Sequence, residues 1–211
     1  GQPQEDLRWQ FSSYYVPNVL NSNYADVAWT TPLAADYRLR LGAQAMAQGS
    51  TGSNALTGTS FSTQVGGVRA DLIAGGATAT LVYTQTGRGA AWRNPYGAWP
   101  GYTSMITRDF NTAGERAYLI GGTFNFAGAG LPGMVLNGAA VFGRDAINAT
   151  TGATLPNQNE YDLTLDYRFT ADRWPQGLRP LWIRARAGYI TASTGNTTDY
   201  RIIVNYPLVF K

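Results

Sequence analysis

The 211-residue chain contains no cysteine and no histidine, and Lys211 is its only lysine. Without cysteine there is no thiol nucleophile, no disulfide and no sulfur ligand. Without histidine the usual general base and the commonest metal ligand are gone as well. These gaps remove thiol chemistry and histidine-based acid/base and metal sites, and the chain is expected to be no enzyme, with no catalytic residue, no metal site and no cofactor. Long apolar runs are also missing. No stretch approaches the eighteen or so consecutive apolar residues of a transmembrane helix. Excess charge of one sign is small, 16 basic against 13 acidic residues for a net +3. A surplus that thin, spread along the chain, lacks the clustered basic face that nucleic acid requires. The first six residues are polar and too short for the apolar centre of a secretion signal, which predicts a mature, truncated or fragmentary chain. The length suits one domain with a sizeable core.

What the chain does have is alternation of period two. Its clearest case is the C-terminal run 199–210, where Tyr200, Ile202, Val204, Tyr206, Leu208 and Phe210 alternate with Asp199, Arg201, Ile203, Asn205, Pro207 and Val209. A strand sends successive side chains to opposite faces, so this run has one apolar face and one wetter face. About twelve residues is enough for a tilted strand to cross a bilayer. The same alternation recurs along the chain. Tyr37, Leu39, Leu41, Ala43, Ala45 and Ala47 oppose Asp36, Arg38, Arg40, Gln44 and Gln48. Val68, Ala70 and Leu72 oppose Arg69 and Asp71, and a turn follows at Gly75 and Gly76. Residues 161–169 place Tyr, Leu, Leu, Tyr and Phe on odd positions against Asp162, Thr164, Asp166 and Arg168. Ile183, Ala185, Ala187 and Tyr189 oppose Arg184 and Arg186. With weaker runs near residues 7–17, 25–30, 77–84, 118–126 and 134–142, the sequence predicts about ten strands.

The connections alternate too. Segments 18–23, 49–60, 87–115, 144–160 and 193–198 fall at one end, and 32–35, 74–77, 127–133 and 170–180 at the other. The three longest (49–60, 87–115 and 144–160) share an end. That asymmetry is expected of an outer-membrane barrel with short periplasmic turns and long external loops. Aromatics such as Tyr161, Phe169, Tyr189, Tyr200 and Phe210 suit interfacial girdles. The expected fold is therefore all-β, an antiparallel up-and-down transmembrane β-barrel in a bacterial outer membrane. The soluble alternative is a ligand-binding β-barrel or sandwich. Against it, Arg184 with Arg186 and Asp162 with Asp166 would sit poorly in a dry core.

Residues 109–115, Asp-Phe-Asn-Thr-Ala-Gly-Glu, are followed by 118–126 and by Gly130-Leu-Pro-Gly133. These stretches, with 160–169 and the closing run 199–210, resemble the OprD-type family of substrate-specific outer-membrane porins. The resemblance is strongest from residue 84 onward. It implies monomeric eighteen-stranded barrels roughly twice this long, of which the chain looks like the C-terminal half. It also implies passive, substrate-selective diffusion of small carboxylate-bearing solutes, amino acids or aromatic acids among them. A non-transport barrel, structural or adhesive, is the alternative within the membrane class.

Arg168, Arg184, Arg186 and Arg201 fall on the polar face of three consecutive strands, and Arg38 and Arg40 repeat the pattern earlier. Arginine stays charged and offers a planar fork suited to carboxylates, so such a row could pass an anion from site to site along a pore. The competing reading is that these arginines neutralise Asp162, Asp166 and Asp199 across neighbouring strands. In the family a long loop, here 87–115, folds inward to form the constriction, which makes Ser104 and Asp109 candidate substrate-facing groups. Trp92, Trp99 and Tyr102 are expected to pack that loop down. The Gly-x-Gly-x-x-Gly of residues 128–133 is expected to be a turn, because a dinucleotide site needs a helix next and residues 134–142 alternate as a strand.

Overall fold

A computed structural model describes residues 6–169 and 173–207. Ten strands run in chain order: β1 (Leu7–Val16), β2 (Leu20–Ala34), β3 (Tyr37–Ser50), β4 (Ser62–Ala74), β5 (Ala77–Thr86), β6 (Arg116–Asn125), β7 (Met134–Arg144), β8 (Gln158–Arg168), β9 (Trp182–Ala192) and β10 (Gly195–Asn205). Each pairs antiparallel with the next in one ten-stranded sheet of order β1 to β10. The sheet is open. Among the described residues, β1 pairs only with β2, and β10 only with β9.

Turn chemistry fixes the short connections. β2 and β3 meet across Ala35 and Asp36, with a register shift between Pro32 and Ala34, where proline removes a ladder donor. β4 and β5 meet across Gly75 and Gly76, and Gly75 takes φ 52°, a conformation two-residue hairpins require. The Gly-rich 128–133 stretch is a turn, as its sequence suggests. A 3₁₀ segment spans Phe126–Ala129 and ends on Gly130 at φ 83°.

Several boundaries differ from the sequence expectation. Residues 20–23, expected in a loop, extend β2, because Ser22 and Asn23 keep the ladder with β1. The closing strand begins at Gly195 and ends at Asn205; Leu208, Val209 and Phe210 lie outside the described residues. Tyr200 consequently stands at mid-strand beside Ala187, not at a rim.

The two faces reverse the soluble pattern. On one face Val68, Leu81, Ile120, Tyr200, Ile202 and Val204 are exposed, each by more than half of its surface. The buried apolar side chains instead lie on the face that carries the arginines, where segment 87–115 covers them. Met46 and Val65 pack with Trp92 and Trp99, and Phe110 packs with Ala117 and Val141. A water-soluble sheet would not leave its continuous apolar face bare, whereas strands facing hydrocarbon do. The soluble alternative is thereby set aside.

Candidate functional site: the arginine-bearing face and the segment across it

Segment 87–115 joins β5 to β6 and is tied to strands far apart in the sheet. Gln48 on β3 and Arg93 exchange bonds, Arg93 N donating to Oε1 at 3.0 Å and Nε2 donating to Arg93 O at 2.8 Å. The Tyr102 hydroxyl donates to Asp26 on β2. The hydroxyls of Thr84 and Thr103 lie 3.0 Å apart. Three consecutive backbone amides then meet β8: Ile106 N–H donates to Asp162 at 2.7 Å, and Thr107 and Arg108 donate to Glu160 at 2.8 and 2.9 Å. Arg201 Nη2 on β10 donates to Ile106 O at 3.2 Å.

These ties bend the sheet. β2 and β10 would be about 38 Å apart on a flat sheet with strands ~4.8 Å apart. Yet Asp26 and Arg201 reach Tyr102 and Ile106, which the chain separates by at most about 14 Å. The arginine-bearing face is therefore concave and wraps the segment. Glycines make room for it. A Cβ on Gly42 would stand 2.9 Å from the Tyr102 hydroxyl, and one on Gly143 would stand 2.3 Å from Glu115 Oε1.

Two polar cavities flank Tyr102. The larger, about 800 Å³, is lined by Arg8, Asp26, Arg40, Arg69, Asp71 and Tyr102 among others. The smaller, about 230 Å³, includes Arg69, Tyr102, Ser104, Asp162 and Arg186 in its wall. In the first, fully buried Asp71 accepts from Arg40 Nε at 2.8 Å, Arg69 Nε at 2.9 Å and Thr80 Oγ1 at 2.6 Å. One carboxylate thus serves two guanidiniums and leaves a positive charge over. In the second, Arg186 Nε is buried with no hydrogen-bond partner among the described residues.

The residues named from sequence share one face by register, but they do not form an unbroken row. Arg40 and Arg186 reach the two cavities, and Arg38 stands two residues beyond Arg40 toward the Ala35–Asp36 turn. Arg184 holds Asp166 through two bonds of 2.6 and 2.9 Å, Trp182 Nε1 donates to the same carboxylate at 3.1 Å, and Arg168 lies 5.4 Å from the Trp182 ring. That cluster belongs to the opposite end of β8 from Glu160. Arg201 is paired with Asp199. Among the described residues, Arg40, Arg184 and Arg201 are thus ion-paired, and Arg38, Arg168 and Arg186 form no salt bridge. Asp162 accepts the Ile106 N–H through Oδ2 alone, and its Oδ1 is buried without a hydrogen-bond partner among the described residues, in the cavity that also holds Arg186. Ser104 lines the smaller cavity and donates to Asp109 at 3.0 Å, so Asp109 holds the serine in place. Trp92 and Trp99 pack the segment down, as expected.

Sequence reasoning passed over Arg69, Asp71, Asp26 and Glu160 as site residues. Arg69 and Asp71 had a visible signal, since they alternate with Val68 and Leu72 as Arg38 and Arg40 do with their neighbours. Asp26 and Glu160 had parity alone, because what makes them matter is contact with a loop. Two titratable groups of the segment feel its burial. Desolvation, reinforced by the Asp26 carboxylate, raises the Tyr102 pKa. Burial likewise pushes Glu115 above the ordinary glutamate range, against the lowering effect of the Thr112 N–H that donates to it at 2.9 Å.

Comparison with solved structures places this geometry. The *Pseudomonas aeruginosa* porin OccK1 (OpdK) superposes with TM-score 0.83 at 19% identity, over 97% of this chain and 53% of that one. OpdL of the same organism gives TM-score 0.85 at 21% identity, over 97% and 55%. A BenF-like porin from *Pseudomonas fluorescens* Pf-5 gives 0.82 at 17%, over 97% and 51%. OpdK is also among the matches in a structure with vanillate. The chain spans about half the length of these porins. A search of curated protein sequences gave no match. The sequence itself fits the family described as outer membrane porin, OprD family, over residues 2–210, and the chain belongs to that family of outer-membrane β-barrel porins.

Proposed function

We propose that these ten strands form part of the wall of a larger closed barrel through which small carboxylate-bearing solutes diffuse passively and selectively. In this reading the chain is the C-terminal half of an eighteen-stranded, monomeric porin. The apolar face meets lipid, and the concave face lines water. Segments 49–60 and 144–160 stand outside the cell, while 87–115 is drawn into the lumen as the constriction.

The observation that carries the reading is the surplus of guanidinium over carboxylate at the Asp71 hub beside Tyr102. Asp71 serves both Arg40 and Arg69. Beyond Tyr102, Arg186 shares the smaller cavity with Asp162, and its Nε has no hydrogen-bond partner among the described residues. Guanidiniums fixed at the edge of water-filled space attract carboxylates, and several weak sites in series permit both entry and release. The neutralised pairs, Arg184 with Asp166 and Arg201 with Asp199, shape the field without adding net charge. Vanillate, an aromatic carboxylate seen with OpdK, has the size and charge this wall would accept.

Planar-bilayer recording of the full-length porin tests the proposal. Arg186→Ala with Arg69→Ala should lower anion over cation permeability and slow uptake of an aromatic carboxylate several-fold, with uptake of a neutral analogue little changed. Equal loss for both solutes would overturn the carboxylate reading, and absence of any conductance in the wild type would favour a non-transport barrel.

A further inference from the structure

On the apolar face, at the end where the long segments emerge, β5, β6 and β7 bring Gln85, Arg116 and Arg144 side by side in register. Arg116 and Arg144 are directly opposed, an arrangement of like charges that destabilises a sheet unless something offsets it. Asp145 offsets one of them. It accepts from Arg116 at 2.6–2.8 Å in an exposed pair. Arg144 has no acidic partner among the described residues. Its Nη1 donates to Gly143 O at 2.7 Å and Asn159 Oδ1 at 2.8 Å, with Gln158 O at 3.5 Å and the Phe142 ring 5.8 Å from the guanidinium carbon, which fixes the group against β8; its Nε and Nη2 make no hydrogen bond among the described residues.

Immediately below this pair is a band of rings. Tyr83 and Tyr118 lie 5.2 Å apart, Phe142 and Tyr161 6.1 Å, and Tyr161 and Tyr189 6.4 Å. Such a girdle marks the boundary between hydrocarbon and headgroups. Tyr83, Tyr118 and Phe142 of this band form one wall of an apolar groove of about 620 Å³ that continues over Leu41, Val68, Leu81 and Ile120. Arg116 stands four residues from Ile120 along β6, or about 13 Å. The order along the strands is therefore cation, ring and groove, matching headgroup, interface and acyl chain.

We propose that this patch holds a phosphorylated lipid of the membrane's outer leaflet, its phosphate bridging Arg116 and Arg144 and an acyl chain lying in the groove. A phosphate offers acceptors to the free nitrogens of Arg144 and relieves the repulsion between the opposed guanidiniums. The bound lipid would then brace β5 and β6, the strands on either side of segment 87–115, together with β7 beside them. The assignment rests on the reading that the long segments face outward.

Native mass spectrometry of the detergent-purified full-length porin, with added lipopolysaccharide and with its dephosphorylated form, tests the site. The wild type should retain the phosphorylated lipid at least tenfold better than the dephosphorylated one. Arg116→Ala with Arg144→Ala should abolish that preference, while Arg144→Lys keeps part of it. Heat-modifiable gel mobility confirms that each variant is folded. Equal retention of both lipids by the wild type, or an undiminished preference in the folded double variant, would overturn the proposal. Orientation is read separately, by labelling Asn148→Cys in intact cells with an impermeant maleimide. Labelling supports the outward reading. A folded protein that labels only after lysis overturns the physiological site even if lipid binds in detergent.

Discussion

Glu160 on β8 accepts the backbone N–H of Thr107 at 2.8 Å, joining residues 53 apart in the chain, and its second oxygen accepts from Arg108. The carboxylate is wholly buried, so these bonds are its substitute for water. Glu160→Ala would leave two amides without acceptors, at roughly 0.5–1.5 kcal/mol for each bond lost. Segment 87–115 should come away from β8 while the strands stay paired. The expected signs are a larger single-channel conductance and new protease cleavage between residues 100 and 110. Conductance and cleavage both unchanged would show that the segment's other ties hold it without Glu160.

Asp71 is the corresponding hub on the other side of Tyr102. Asp71→Asn keeps hydrogen-bond acceptance but removes the charge shared by Arg40 and Arg69. A cost of about 1–3 kcal/mol is expected, below the range for fully buried pairs because both guanidiniums are about a third exposed. The freed charge should move the reversal potential in a salt gradient toward greater anion preference. A shift toward cations would mean that the Arg40 side chain no longer reaches the water.

Strand count, facing and the alternation of connections were legible because all three follow from a period of two and from turn residues such as Gly75 and Gly76. Arg38, Arg40, Arg168, Arg184, Arg186 and Arg201 share one face for the same reason. How they are spent was not legible, since a pairing such as Arg184 with Asp166 depends on register between strands, and Asp71 sits between Arg40 and Arg69 only after β3 and β4 align. Least readable was segment 87–115. Its anchors are backbone amides at Ile106, Thr107 and Arg108, which every sequence possesses, and its seat at Gly143 depends on what a distant strand omits.

Glu115 gives the segment a pH dependence of definite sign. Its folded pKa lies above the unfolded value because burial disfavours the carboxylate. The native state consequently binds the proton more tightly, and this contribution to stability is complete below the ordinary glutamate pKa and disappears as pH rises through the folded one. Glu115→Gln should match the wild type near pH 4 in the temperature of heat-modifiable unfolding. At pH 7–8 the variant should unfold at the higher temperature. A wild type that gains stability between pH 4 and 8 relative to the variant would reverse the assignment.

Gly143 tests whether the segment's seat is a matter of space. Its backbone has no positive φ, so a side chain there meets no conformational penalty of its own. The obstacle is contact: a Cβ would stand 2.3 Å from Glu115 Oε1 and 2.7 Å from Phe110 Cδ1. Gly143→Ala should therefore cost about 1–3 kcal/mol, as overpacking does, and should loosen the segment as Glu160→Ala does. Gly66→Ala is the control. It lies in β4 with nothing within 4 Å of the added methyl, and strand glycines replaced by alanine lose less conformational entropy on folding. Unfolding temperature and protease resistance should fall for the first variant and hold or rise for the second. If both variants fell alike, the requirement would belong to the sheet backbone, and the fit between β7 and segment 87–115 would not be what the glycine serves.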